Sequence, residues 1–273
     1  MSVFNAMEYL PYSLKSIYDF ADEIIISDGL IEQFNKDKNI LSDNGKSCDG
    51  TVEFVKEFPD PGKKIKFESG GWEWEKEKRQ ATVDMASGDW MMTVDSDEVY
   101  KPEHLANIRK GIKARPKVLS IWAKHLRFCG DFNHYYEWPG AILQKLSKGV
   151  KLYGYRELKI PEGKMMKVYK WPESECRNVT HSEFLERVWL PPIREVTCFH
   201  YSNVCSKDKA KRKKMIAKGL KHKLKNWDKI QFGTGVSQAK YECLRNLQEF
   251  EGTHPEVMKD HPYMRDIPKW LKK

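Results

Sequence analysis

The sequence predicts an α/β fold, namely a doubly wound, mostly parallel sheet followed by a C-terminal helical extension. Three observations support this prediction. Short apolar runs alternate with helical patterns through the first 125 residues, an order typical of parallel strands joined by right-handed crossovers. The run EIIIS over 23–27 is short and β-branched, as in strands covered on both faces. The length of 273 residues suits one large domain with an appended C-terminal part.

The individual elements follow from local patterns. Apolar residues recur at helical spacing after residue 10, with Pro11 in the first turn, where proline is tolerated. Gly88 is suited to end the helix predicted over residues 75–85, because glycine is common just after helix C-termini. The predicted order is a very short strand within residues 1–4, a helix from residue 10, a strand over 23–27, a helix over 50–58 capped by Asp49, a strand over 64–69, a helix over 75–85, a strand over 90–94, a helix over 102–113 and a strand over 118–128. Residues 129–197 are aromatic-rich and interrupted by proline, which predicts mixed strands and loops, and the pattern from residue 207 onward predicts helices.

Composition narrows the class of protein. The residues are 40% hydrophobic and 32% charged, and no apolar run approaches the roughly 18 residues that indicate a membrane span. The first residues lack the pattern of a secretory signal. Six cysteines are scattered without a CxxC pair, which disfavours both a cysteine-based zinc site and a disulfide framework. We therefore expect reduced thiols and a cytoplasmic protein.

The charge is strongly basic. The net charge is +9, and much of the excess lies in residues 206–229. Such a chain attracts nucleic acid, anionic membranes or phosphorylated small molecules, and charge alone does not choose between them.

Acidic residues follow two of the predicted strands. Asp28 ends the strand over 23–27, and Asp95 and Asp97 follow the apolar run WMMTV. Ligands of such sheets bind beyond the carboxyl ends of the strands, and clustered carboxylates are favourable beside a cation. Oxygen ligands select hard ions such as Mg²⁺ or Mn²⁺, which also bind substrate phosphates. For an isolated D-x-D pair, the alternative is a helix cap with solvated charges.

Three segments together resemble a known family. FNAMEYLPYSLKSIYDFADEIIISDG, SCDGTVEF and GWEWEKEKRQATVDMASGDWMMTVDSDE are similar to the N-terminal half of family 2 glycosyltransferases, which have the GT-A nucleotide-sugar-binding fold. The segments are most similar to the bacterial branch that adds sugars to lipopolysaccharide cores. The resemblance covers roughly residues 3–100, and the ordered set of segments is far more specific than D-x-D alone.

The resemblance implies roles for particular residues. Asn5 and Asp28 are expected to bind the nucleotide, with Asp28 at the base, and Arg79 is expected to lie along the nucleotide. Asp95 and Asp97 correspond to the acids that hold the diphosphate through Mn²⁺ or Mg²⁺, with Asp95 also counted among the nucleotide-binding residues.

A further metal ligand is expected near the second half of the chain. His200 in CFHYS resembles a late histidine that binds the metal in related enzymes, although a packed core histidine is the equal alternative. The sequence departs from the family pattern at Ala6, at Gln80 and in an insertion over residues 30–46. These departures leave the base and the donor sugar open.

The implied reaction is the transfer of a sugar from a nucleoside-diphosphate sugar, a UDP-sugar first of all, to a hydroxyl of a saccharide or lipid-linked acceptor. An inverting route needs a general base, and Glu157 in GYRELK and Glu137 in HYYEWPG are the candidates. For either glutamate, a solvated surface charge is the alternative.

Two other classes of protein are alternatives to a glycosyltransferase. A sugar-phosphate nucleotidyltransferase would need a glycine-rich, basic loop after the first strand, and NAMEYLP has none. A nucleic-acid-binding module would explain the charge, but the strand-end acids oppose a polyanion and no binding motif is present. We therefore expect no nucleic acid partner.

The predicted organisation has three parts. Residues 1–125 form the nucleotide-sugar-binding half, residues 126–205 the acceptor side of the same domain, and residues 206–273 the basic C-terminal helices. The basic part predicts peripheral contact with the inner face of a membrane, with a solvated helix face as the alternative.

Overall fold

The computed structural model describes residues 1–35, 40–146, 151–152, 158–159, 187–206, 209 and 247–266. Within these residues the fold is mixed α/β, with strands in parallel and antiparallel pairs. The α/β fold class is confirmed. Glu157 and nearly all of the basic segment 206–229 lie outside the described residues. No helix in the described part of the chain is long and apolar enough to cross a membrane.

The N-terminal part is a parallel three-stranded sheet. Strands β1 (Ser2–Val3), β2 (Ile24–Asp28) and β3 (Ile65–Ser69) lie in the order β1-β2-β3. Helix α1 (Leu10–Tyr18) connects β1 to β2, and helix α2 (Thr51–Glu57) lies between β2 and β3. The apolar residues of α1 face the core because they recur every three or four positions. These elements agree closely with the predicted ones.

A second, seven-stranded sheet holds most of the remaining strands. Its strands are β4 (Trp90–Met92), β5 (Glu98–Val99), β6 (Ser120–Cys129), β7 (His134–Lys145), β10 (Val188–Trp189), β11 (Thr197–Asn203) and β12 (Gln248–Glu249). The strand order is β12-β7-β6-β11-β5, with β10 paired to β6 and β4 paired to β7. A separate pair is formed by β8 (Lys151–Leu152) and β9 (Leu158–Lys159). The helices are α3 (Glu75–Asp84), α4 (Pro102–Ala114) and α5 (Pro262–Arg265).

One strand pairing differs from the prediction. Strand β4 was expected to extend the parallel sheet, but it pairs antiparallel with β7, with Trp90 opposite Lys145. The twelve-residue β7 has Pro139 in its interior, which made the region look irregular in sequence. Pro139 stands opposite Lys124 in the β6–β7 pair and lies between the parts of β7 that pair with β12 and β4.

The two sheets share a hydrophobic core. Val3 and Ile26 from the parallel sheet belong to the same buried cluster as Val94, Ile121 and Ile142. A second cluster of buried aromatic residues joins α1 to β6 and β11. The carboxyl ends of β1 and β2 and the loop after β4 are therefore held on one rigid support.

Candidate functional site

The carboxylate of Asp28 at the end of β2 is fully buried. It accepts hydrogen bonds from the backbone N–H of Ser47 at 3.0 Å, from Ser47 Oγ at 2.5 Å and from Ser69 Oγ at 2.8 Å. Its backbone carbonyl accepts a bond from Trp72 Nε1 at 3.0 Å. Asp28 therefore fastens the loop around Ser47 to the strand end, rather than projecting into solvent.

Asn5 acts on the same loop. Its backbone has a φ of 46°, in the left-handed region that asparagine tolerates better than most residues. The backbone N–H of Asn5 donates to Ser47 Oγ at 2.6 Å, and its side-chain oxygen accepts from the N–H of Cys48 at 2.8 Å. Asn5 and Asp28 thus hold residues 47 and 48 from both sides.

Lys78 in α3 crosses the ends of β1 and β2. Its side chain is 1% exposed, and its Nζ donates to the carbonyls of Val3 and Gly29, each at 2.6 Å. Burial lowers the pKa of Lys78 from 10.5 to about 7, against the opposing effect of the nearby Asp28. No sequence pattern singled out this residue, although it precedes Arg79.

Arg79 links α3 to the loop after β4. Its Nη2 lies 3.5 Å from Asp95 Oδ1, and its Nε donates to Glu75 Oε1 at 2.9 Å. Burial raises the pKa of the Glu75 carboxyl, against the attraction of Arg79. The structure therefore brings Arg79 and Asp95 together, and their roles at the nucleotide and the diphosphate stay predictions.

The loop after β4 directs its acids toward different partners. Strand β4 ends at Met92, and the N–H of Glu98 bonds to the carbonyl of Asp95 at 3.0 Å in a turn. Because of this turn the chain is not an extended strand from Asp95 to Asp97, and strand alternation does not place the two side chains on one face. Asp95 meets α3, whereas Asp97 lies 3.3 Å from His200 Nε2 and 3.3 Å from Lys209 Nζ.

A second group of side chains adjoins Asp97 through His200. Glu98 is fully buried, and His125 and His200 are 2% and 6% exposed. Glu98 Oε1 is 3.4 Å from His125 Nδ1 and 3.8 Å from His200 Nδ1. One ligand atom from each of these three residues lies within 4.8 Å of the others. Neither Glu98 nor His125 was a predicted site residue, although His125 interrupts an apolar strand pattern.

Glu8 connects the start of α1 to the chain after β11. Its Oε1 accepts from the N–H of Ser206 at 2.6 Å and from Tyr263 Oη at 3.0 Å, and its Oε2 lies 3.9 Å from Lys209 Nζ. Hence Lys209 lies between the carboxylates of Glu8 and Asp97. Sequence reasoning placed Lys209 in a membrane-facing charge run and missed this position.

Glu137, one of the two predicted general bases, is not joined to these acids. Glu137 on β7 is ion-paired with Lys124 on β6. Within the described residues no ion pair or hydrogen bond joins Glu137 to Asp95, Asp97 or His200. The other candidate, Glu157, lies outside the described residues.

Comparison with known proteins identifies the family. The sequence profile of glycosyl transferase family 2 matches residues 1–165, which is more than half of the chain. The chain belongs to this family. The prediction of a family 2 glycosyltransferase with a GT-A fold is confirmed, and the lipopolysaccharide-core branch stays a prediction. A search of curated proteins found no match.

Solved structures similar to this chain were also found. S. aureus TarS 1-349 is 15% identical, with a TM-score of 0.39 and coverage of 80% of this chain and 63% of that one. Its complex with UDP-GlcNAc is 14% identical, with a TM-score of 0.40 and coverage of 80% and 64%. The chain thus spans less than two thirds of the length of these fragments, and 49% of the longer S. aureus TarS chain.

Proposed function

We propose that the protein transfers a sugar from a nucleoside-diphosphate sugar, with UDP as the first candidate, to a hydroxyl of a saccharide or lipid-linked acceptor. The observation that carries this proposal is the juxtaposition of Asp95 with Arg79 and of Asp97 with Lys209. Two acids of the loop after β4 there face cations that come from α3 and from the chain after β11. Such a site can bind a diphosphate both directly and through a divalent cation.

The donor atoms fit Mn²⁺ or Mg²⁺. Asp95 and Asp97 offer carboxylate oxygens, the ligands that these hard ions prefer, and the Asp95 side chain is 30% exposed. His200 Nε2 faces Asp97, so His200 either joins the same cation, as its place in the sequence predicted, or orients the Asp97 carboxylate. When bound, such a cation supplies Lewis-acid stabilisation of the departing diphosphate.

The remaining predicted residues would shape the nucleotide pocket. Arg79 is proposed to bind the nucleotide directly, because its guanidinium is already oriented by Glu75 toward Asp95. Asp28 and Asn5 are proposed to act on the nucleotide by holding residues 47 and 48. This arrangement explains how a fully buried acid contributes to binding.

The proposed route inverts the anomeric centre, and Glu137 and Glu157 stay the candidate bases. Glu137 would need to exchange its contact with Lys124 for the acceptor hydroxyl. The basic segment 206–229 is proposed to bring the enzyme to an anionic membrane surface on the cytoplasmic side, where a lipid-linked acceptor would be found.

Calorimetric titration tests the proposal. UDP, GDP and CDP are titrated into the protein with and without Mn²⁺. We expect one nucleotide to bind, and Mn²⁺ to tighten its binding. Asp97→Asn, which keeps the shape of the side chain, should remove the effect of Mn²⁺, whereas the control Asp131→Asn should keep it, since Asp131 pairs with His134 instead.

Product analysis tests the stereochemistry. NMR of the glycoside formed from the preferred donor should show an inverted anomeric configuration. Absence of binding for all three nucleotides with and without Mn²⁺ would refute the proposed donor class.

A further inference from the structure

The trio of Glu98, His125 and His200 is built on three adjacent strands. Strand β11 lies between β5 and β6, and His200 stands opposite Glu98 in the β11–β5 pair. His125 stands opposite Cys198 in the β11–β6 pair. Strands hold side chains more accurately than loops do. The three side chains are therefore fixed with their ligand atoms converging in the protein interior.

We propose that Glu98, His125 and His200 form a buried site for a divalent transition metal of the zinc class, separate from the substrate cation at Asp95 and Asp97.

Donor type and spacing support this assignment. Two imidazole nitrogens and one carboxylate oxygen form a ligand set that suits zinc. Ligand atoms bound at about 2.1 Å in tetrahedral geometry lie about 3.4 Å from one another. The Glu98–His125 and Glu98–His200 separations are 3.4 Å and 3.8 Å. These separations match the space that one ion requires.

His200 provides an independent observation. Its Nδ1 is buried, is directed toward Glu98, and has no hydrogen-bond partner among the described residues. A buried polar atom without a partner is unfavourable. An ion bound to Nδ1 would satisfy it.

The other nitrogen of the ring then has a defined role. A neutral imidazole that binds an ion through Nδ1 carries its proton on Nε2, and His200 Nε2 lies 3.3 Å from Asp97 Oδ1. Histidines that bind metal commonly donate their second N–H to a carboxylate. His200 would therefore orient Asp97 toward the substrate, and the role of His200 as a ligand of the substrate cation is the competing assignment.

The proposed arrangement places a divalent ion beside the fully buried carboxylate of Glu98. The rival arrangement is an imidazolium paired with Glu98 and no metal. The two arrangements differ in metal content and can be separated by direct measurement.

The test measures metal binding without reference to activity. Tag-free full-length protein is loaded with Zn²⁺, desalted and analysed by inductively coupled plasma mass spectrometry. We expect about one zinc per chain, in the manner of a protein site with several strong ligands. Titration with Co²⁺ should give the intense visible absorption of a four-coordinate site, and Zn²⁺ should abolish that absorption.

Variants then locate the ion. His125→Gln and Glu98→Gln should each weaken Co²⁺ binding at least about tenfold. The control His104→Gln should not, since His104 is also buried but faces the carbonyl of Thr197. Asp95→Asn should retain the Co²⁺ absorption while losing the effect of Mn²⁺ on nucleotide binding, because the Asp95 side chain faces Arg79, so that this inference and the proposed function can fail separately.

Several results would overturn the inference. Wild-type protein that retains no zinc and shows no four-coordinate Co²⁺ absorption excludes the site, even if the glutamine variants fail to fold. Unchanged Co²⁺ affinity in a folded His125→Gln variant would place the ion elsewhere. Loss of the Co²⁺ absorption on addition of nucleotide and Mn²⁺ would show that His200 serves the substrate cation instead.

Discussion

Replacement of Lys78 by methionine should change how stability depends on pH. Lys78 Nζ is enclosed at the ends of β1 and β2, where it donates to two carbonyls. A neutral amine still has two N–H groups for these bonds. The folded protein can therefore release the Lys78 proton near neutral pH without losing either bond, whereas the unfolded chain keeps that proton up to an ordinary lysine pKa.

The magnitude follows from the two pKa values. The pKa of Lys78 is 10.5 in the reference state and about 7 in the folded protein, mainly because burial disfavours the charge. Between these values the unfolded state binds more protons, so stability rises with pH. The slope is at most about 1.4 kcal/mol per pH unit, which amounts to roughly 5 kcal/mol over the whole interval. Below about pH 7 both states are protonated, and no slope from Lys78 remains.

Urea unfolding of wild type and Lys78→Met at several pH values from about 6 to about 9.5 measures this slope. The difference in free energy of unfolding, wild type minus Lys78→Met, should not change with pH below about pH 7 and should rise with pH above it. The control Lys66→Met should show no comparable slope, because the side chain of Lys66 is 47% exposed. A flat difference for Lys78→Met over the whole range would show that the folded protein keeps Lys78 protonated, and would refute the argument.

Two further substitutions test packing and the nucleotide pocket. Gly111→Ala should destabilise the protein by about 1–3 kcal/mol despite the better helix propensity of alanine, because a Cβ at Gly111 would lie 1.9 Å from Trp189 Cζ3. Thermal unfolding of Gly111→Ala, Trp189→Leu and the double variant measures this effect. If the two single substitutions destabilise additively in the double variant, the proposed clash is contradicted. Asp28→Asn should destabilise by about 1–3 kcal/mol and weaken nucleotide binding, since an amide cannot accept all three bonds from Ser47 and Ser69. If Ser69→Ala, which removes only one of these bonds, weakens nucleotide binding as much as Asp28→Asn, the loop around Ser47 is not the decisive contact.

Local patterns were sufficient for the N-terminal elements. The bounds of α2, β3, α3 and α4 agree with the predictions to within about two residues, because helical spacing and strand alternation are properties of adjacent residues. The pairing of β4 with β7 joins segments about fifty residues apart. Neither segment carries a local signal for its partner, so the sequence could not predict this antiparallel edge.

The site was predictable to a similar degree. Asp28, Asp95 and Asp97 could be proposed because acids at strand ends are visible in the sequence, and their roles stay predictions. Lys78 was missed because its acceptor Val3 is 75 residues away. Likewise, the approach of His125 to Glu98 depends on strand order, which is set by tertiary packing rather than by spacing along the chain.

The loop from Asp95 to Glu98 gathers three acids, and each of them meets its own set of basic groups, with His200 shared by Asp97 and Glu98. Asp95 has Arg79, Asp97 has Lys209 with His200, and Glu98 has His125 with His200. Three carboxylates within four residues repel one another, so this separation of partners permits the loop to fold without substrate. In the proposed reaction the same basic groups would also bind the diphosphate. If Asp95 and Asp97 bind a divalent cation, the guanidinium of Arg79 and the ammonium of Lys209 can contact the diphosphate oxygens. The positive charge that stabilises the free loop would thus remain in the site and stabilise the leaving group.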